Sequence, residues 1–232
     1  MTPRDLNGAR TLVLGGSGDL GTLIAQRLLD RGGKVMLAAR NRSRLHKAAT
    51  ALEPPVPSVE FDLQEPRHVE HVIGTAIAGL GGLDGVVNAA GVVAFGPLAD
   101  LSDSALDELV ATDLVGPLRV IRAAIPHVEG GFVVNISGVV AERPTAGMAA
   151  YSAVKAGLSA ATVALGRELR RQRITVLDAR PPHTETGLVQ RSIAGVAPTM
   201  PPGLDPGLVA GVIVDGIERG ARELPPEAFA AS

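Results

Sequence analysis

Cysteine is absent from the 232-residue chain, which excludes disulfides, thiolate catalysis and cysteine-bound metal. The five histidines are scattered without ligand spacing, so no metal site is expected. No basic block is longer than the short Arg40–Arg44 cluster, and Lys+Arg 22 against Asp+Glu 24 gives a net charge of −2. Nucleic acid is therefore not an expected partner. No apolar run is long enough to span a membrane, and the N-terminal Met-Thr-Pro-Arg-Asp is too polar for a signal peptide. A cytoplasmic, membrane-free location is the expectation. A hydrophobic content of 46% with 20% charged residues describes a soluble globular chain. Its length predicts one α/β domain over residues 1–232 with ample core.

The apolar pattern alternates between strand and helix. Arg10–Leu14 is a β-type run that ends in Gly15-Gly16-Ser17-Gly18-Asp19-Leu20-Gly21, and Thr22–Asp30 follows with helical spacing. Strand, glycine-rich turn and helix together point to dinucleotide binding. The glycines let the backbone approach a pyrophosphate, and the helix N-terminus offers free N–H groups and a positive dipole end. Lys34–Ala39 is the second strand, and Val59–Leu63 the third, ending at Asp62. Pro66–Leu80 is helical, Leu83–Val87 is a fourth strand, and Asn88-Ala89-Ala90-Gly91 follows it. Ser102 caps a long helical stretch that runs through Asp113 toward His127, with a bend or break expected at Gly116-Pro117. Gly131–Ile136 and Ile174–Ala179 are the fifth and sixth strands. Residues 187–206 predict a mobile loop rich in Pro and Gly, Leu208–Arg219 a last helix, and Leu224 an edge strand. This order predicts a doubly wound parallel sheet of Rossmann type, with helices on both faces and ligands outside the carboxyl ends of the strands.

The second strand ends in Ala38-Ala39-Arg40 with no acidic residue to grip a ribose diol. An arginine fork suits a 2′-phosphate, so Arg40 favours NADP(H) over NAD(H). Arg42 and Arg44 read as a solvated first turn of the next helix.

Tyr151 and Lys155 stand four residues apart in a helical segment, so their side chains share one face. A free phenol titrates near ~10 and a lysine near ~10.4. A close ammonium favours phenolate, and the pair can exchange a proton with a hydroxyl or carbonyl. The spacing alone fits an ordinary surface helix as well; the upstream motifs supply the context.

Taken together, Gly15–Gly21, Asp62, Asn88-Ala89-Ala90-Gly91, Asn135-Ile136-Ser137, Tyr151-Ser152-Ala153-Val154-Lys155 and Pro181–Thr186 resemble the short-chain dehydrogenase/reductase family, in order and over nearly the whole chain. The resemblance implies NAD(P)(H)-dependent oxidoreduction of a small-molecule carbonyl or alcohol, with Tyr151 as acid/base and Lys155 holding the nicotinamide ribose. It implies a cofactor site that includes Gly15, Ser17, Gly18, Asp19, Leu20 and Gly21 of the turn. Asp62 and Leu63 would lie toward the adenine, and Asn88, Ala89 and Gly91 beside the cofactor. Pro181, Thr184 and Thr186 would approach the nicotinamide. It also implies a homodimer or homotetramer.

The chain departs from the family's pattern in several places, two of which, Gly138 and Asp113, touch chemistry. Asp19 stands where the commonest glycine turn has glycine. The family's catalytic serine falls at Gly138, with Ser137 one residue early, and its asparagine falls at Asp113. If the strand persists to Ser137, its side chain points away from that of residue 138. Ser137 and Asp113 are still candidate catalytic residues beside Tyr151 and Lys155. Loss of one oxyanion donor typically costs ~100-fold or more in rate. A catalytically weak NADP(H)-binding sensor or partner subunit is therefore the rival expectation. Val93, Phe95, Val140, Met148, His183, Leu188, Ile193 and Met200 are candidate substrate contacts, mostly apolar as small-molecule pockets are.

Overall fold

Short Val- and Leu-rich runs become strands here because both faces of the sheet are covered. The computed structural model describes residues 3–230. The strands are β1 (Arg10–Leu14), β2 (Lys34–Ala39), β3 (Ser58–Glu60), β4 (Gly85–Asn88), β5 (Phe132–Ile136), β6 (Thr175–Ala179) and β7 (Glu223–Leu224). They form one sheet in the order β3-β2-β1-β4-β5-β6-β7, and every neighbouring pair is parallel. Successive residues of one strand enter different cores. Val13, Val87 and Val134 pack on one face, whereas Leu12, Val86 and Val133 pack on the other.

The first face is covered by α1 (Asp19–Asp30), α2 (Arg42–Ala51) and α7 (Pro206–Glu218), through Ile24, Leu28, Leu45 and Ile213. The second is covered by α3 (Val69–Leu80), α5 (Gly116–Ala124) and the C-terminal end of α6 (Ala149–Glu168), through Ile73, Ala76, Ile121 and Leu165. Each fully buried Leu or Ile contributes about 1.5–3 kcal/mol of transfer free energy. Helix starts follow local chemistry. Asp205 accepts the Leu208 N–H ahead of Pro206, and Asn41 accepts the Arg44 N–H, both at 2.9 Å.

Several boundaries differ from expectation. β3 ends at Glu60; beyond it Asp62 turns to accept the Gln64 N–H at 3.0 Å, so the chain leaves the sheet there. The stretch after Ser102 is not one helix. α4 (Asp103–Val110) passes into a π-helical turn, Ala111–Val115, before α5. The wider turn carries Thr112 and Asp113 to the buried side. The segment 187–206 is hydrogen-bonded to the rest of the chain at two points. Ile193 N–H donates to Val93 O and Phe95 N–H to Ala194 O, both at 2.9 Å, while Leu204 N–H donates to His183 O at 2.8 Å.

The chain runs from β1 outward to β2 and β3, then crosses back to β4 on the other side of β1. That reversal opens a crevice at the carboxyl ends of β1 and β4. No helix among the described residues is long and apolar enough to cross a membrane.

Candidate active site

A cleft of about 720 Å³ occupies this crevice. Its floor is the turn between β1 and α1. Gly15 has φ +72°, and a Cβ there would sit 2.5 Å from the Ala90 backbone nitrogen, so only glycine allows the turn to lie against β4. A Cβ on Gly21 would strike the Gly15 carbonyl. Gly18 caps α1 without using a side chain, which leaves the first N–H groups of the helix free. This cradle fits a pyrophosphate, with Ser17, Asp19 and Leu20 in its wall.

At one end, the wall is formed by Arg40, Asp62, Leu63 and Ala89. The Arg40 side chain is 55% exposed and pairs with Glu108 at 3.1 Å. Arg44 reaches back from α2 toward the Ser17 carbonyl, 3.4 Å away, and lines the cleft beside Arg40. It does not simply face solvent. Its only signal in sequence is its place three residues after the Asn41 cap, and that places it only once the turn is known.

At the other end stand Tyr151 and Lys155, one turn apart on α6. Lys155 is buried. Its Nζ donates to Ile136 O at 3.0 Å and lies 5.7 Å from the Tyr151 ring centroid. Asp113 is fully buried; its Oδ1 accepts the Val92 N–H at 2.9 Å, and its Oδ2 lies 3.9 Å from Lys155 Nζ. Burial pushes the Asp113 carboxyl up to about 6, although Lys155 pulls it down. The Tyr151 phenol is pushed above its ordinary range by desolvation and then by the Asp113 charge. That direction is opposite to a lysine-depressed phenol, because burial and the Asp113 charge both favour the neutral phenol.

Ser137 lines the cleft, but its hydroxyl is engaged elsewhere in this structure. It is fully buried, and its hydroxyl donates to Asp178 Oδ1 at 2.5 Å. A serine has a single O–H to give, so none is left for a substrate oxygen. Gly138 has φ +78° and ψ 165°, and its backbone lines the cleft. Asn88 likewise turns away from the cleft. It donates to Asn135 Oδ1 at 3.4 Å, and Asn135 donates to Thr162 Oγ1 at 2.9 Å, so Asn88 ties β4 and β5 to α6. Gly91 replaces it at the cleft surface, with Pro181, Thr184 and Thr186 opposite.

Above Tyr151, the wall includes Val93, Phe95, Val140, Met148, His183, Leu188 and Met200. Ile193 packs against the apolar cluster of Val92, Ala94, Leu109 and Val154, as Tyr151 does, and does not line the cleft. Thr145 and Arg191 line it without having been expected. His183 lies 3.4 Å from Glu185, within its own loop. No group of three or more potential metal ligands occurs among the described residues.

A family model described as short chain dehydrogenase matches residues 9–196. An uncharacterized oxidoreductase of Staphylococcus epidermidis is 29% identical over 182 residues, which are 77% of this chain and 79% of that protein. A crystal structure of a short chain dehydrogenase from Burkholderia cenocepacia in complex with NADP superposes with a TM-score of 0.86 at 27% identity, covering 99% of this chain and 100% of that one. A dehydrogenase/reductase from Sinorhizobium meliloti gives 0.84 at 27% identity, covering 98% of each chain.

Proposed function

The chain belongs to the short-chain dehydrogenase family, and on that premise we propose that it is an NADP(H)-dependent oxidoreductase acting on the carbonyl or alcohol of a small, mostly apolar substrate. One observation carries the reading: a single cleft runs from Arg40, past the glycine cradle, to Tyr151 and Lys155. Arg40 and Arg44 form a cationic end suited to a 2′-phosphate, with no acid at the end of β2; a bound phosphate would take Arg40 from its pair with Glu108. The NADP bound by the Burkholderia relative supports the same choice. Nicotinamide bound beside Tyr151 would supply or accept the hydride.

The chain's own residues handle the proton and the substrate. Lys155, fixed by the Ile136 carbonyl, offers its remaining N–H bonds to a ribose. Tyr151, protonated at neutral pH as a phenol ordinarily is, can donate the proton that reduction of a carbonyl requires. The apolar wall excludes water around the substrate carbonyl. A second reading, a cofactor-binding sensor or partner subunit, is favoured by the commitment of Ser137 to Asp178.

Turnover of NADPH with a panel of aldehydes and ketones separates the two. Tyr151→Phe should lower turnover at least ~100-fold while leaving NADPH affinity intact. Arg40→Ala should weaken NADPH binding about 10-fold, the low end for a charge-assisted contact because the side chain is more than half exposed, and leave NADH unchanged. Equal wild-type affinity for both cofactors would remove the NADP(H) preference. Tight NADPH binding without turnover on any carbonyl would favour the sensor.

A further inference from the structure

Lys155 lies near two acids of different kind: the Asp113 carboxylate is 3.9 Å from its Nζ and the centroid of the Tyr151 ring 5.7 Å. Asp113 has no exposed surface, and its Oδ2 accepts no hydrogen bond from any described residue. A carboxylate so placed depends on the nearby ammonium for its charge balance. Gly91 lies close against the pair: a Cβ there would lie 3.2 Å from Asp113 Oδ1 and 3.5 Å from Lys155 Nζ.

The charged and titratable surroundings are few. From α4, Glu108 faces Asp113 and disfavours its ionisation; from α6 come Lys155 and Tyr151. The chain after β4 contributes Gly91 and the Val92 N–H, and β5 contributes the Ile136 carbonyl, none of which titrates. Tyr151 packs against the apolar cluster of Val92, Ala94, Leu109 and Val154.

We propose that Asp113 is a positioning residue that acts through Lys155: its carboxylate offsets the ammonium and holds Tyr151 as a proton donor, where the lysine alone would draw the phenol toward phenolate. The kinetic consequence rests on the oxidoreductase reading; the electrostatic one does not. Reduction needs the protonated phenol, and its rate falls as pH rises through the phenol's pKa. Alcohol oxidation needs phenolate, and its rate rises through the same pKa. A charged Asp113 raises both limbs together and so widens the range over which Tyr151 donates.

Asp113→Asn keeps the shape and the acceptor for Val92 N–H but removes the charge. Both limbs should then move to lower pH by about one unit or more, the usual effect of a nearby charge. A purely structural role would lower rates without moving both limbs equally. Asp113→Glu, which keeps the charge, should retain the high limbs.

The sequence offers a direct readout without cofactor or substrate. Tyr151 is the only tyrosine, and tryptophan is absent. Phenolate absorption in the near ultraviolet therefore reports Tyr151 alone. The expected result is phenolate in Asp113→Asn at a pH where the wild type still shows none, with both proteins folded by circular dichroism. Asp113→Ser serves as a second neutral variant if the asparagine protein does not fold. Identical titrations overturn the proposal, including the case in which both phenols ionise only on alkaline unfolding. A shifted titration in a protein that turns over no carbonyl would uphold the Asp113 inference and reject the oxidoreductase reading.

Discussion

Two buried carboxylates flank the end of β5, and they are furnished differently. Asp178, on β6, accepts from Ser137 Oγ at 2.5 Å, Ser159 Oγ at 2.6 Å and Arg180 Nη1 at 2.7 Å. Arg180 is itself buried and pairs onward with Glu142 and with Glu223 at 2.9 Å. This network joins β5, β6, α6 and β7. Asp113 has one backbone donor, an unpartnered oxygen and a lysine 3.9 Å away. A satisfied buried carboxylate fixes structure; a partly satisfied one beside a cleft keeps a proton equilibrium within reach. The family position for a catalytic serine lies between them, and here the neighbouring hydroxyl has gone to the structural side.

The contrast breaks most readily at Asp178. Asp178→Ala would leave Arg180 buried with its inner partner gone. Breaking such a pair costs about 3–5 kcal/mol, a fall in Tm on the order of 10 °C for a chain of this size. Thermal and denaturant unfolding at neutral pH measure it. A loss below ~1 kcal/mol, within the range of a surface pair, would show that the network is not structural.

Asp113 should behave in the opposite way. Its folded pKa lies near 6, above the ordinary carboxylate value. Between ~4 and 6 the native state therefore holds a proton that the unfolded chain has released. Stability falls as pH rises through that window, by roughly 3 kcal/mol in all. Asp113→Asn removes the dependence, so its Tm should gain on the wild type from pH 4 to pH 7. A constant difference between the two proteins would mean that Lys155 balances the carboxylate fully.

How far such a contrast can be read from sequence depends on how local its causes are. The alternation of strands and helices, the glycine turn and the Tyr151/Lys155 pair rest on spacings of a few residues, and β1, β2, β4 and α6 fall within a few residues of where those spacings put them. The direction of Ser137 does not, because its partner Asp178 lies 41 residues away across a strand pair. Asn88 turns inward for a similar reason, toward Asn135 and Thr162. Gly116-Pro117 signalled a break, but its form, a π turn that buries Asp113, depends on packing against α6 and the end of β4. Arg44 was legible only as a helix-surface charge until the glycine turn came within reach of it.

The smallest effect sharpens the boundary between the two regions. Gly138 follows Ser137, and its φ of +78° with ψ 165° lies in a region that essentially only glycine occupies. That conformation lets the chain leave Ser137 on Asp178 and still return along the cleft. A Cβ at 138 would meet nothing closer than Pro181 O at 3.9 Å, so Gly138→Ser is penalised by backbone strain and not by a clash. Such strain costs about 1–3 kcal/mol, a fall in Tm of roughly 2–10 °C. The new hydroxyl would be attached to a backbone pulled out of shape, and a donor misplaced by an ångström contributes little to rate. Turnover on small carbonyls should therefore fall or stay level. Ser137→Ala, which removes one of three donors to Asp178, should cost ~1 kcal/mol in stability and leave turnover per folded molecule unchanged. A Gly138→Ser protein with wild-type Tm and a 10-fold gain in turnover would mean that the backbone relaxes at little cost. Residue 138 would then lie on the catalytic side of the boundary, and a hydroxyl donor would be all that side lacks.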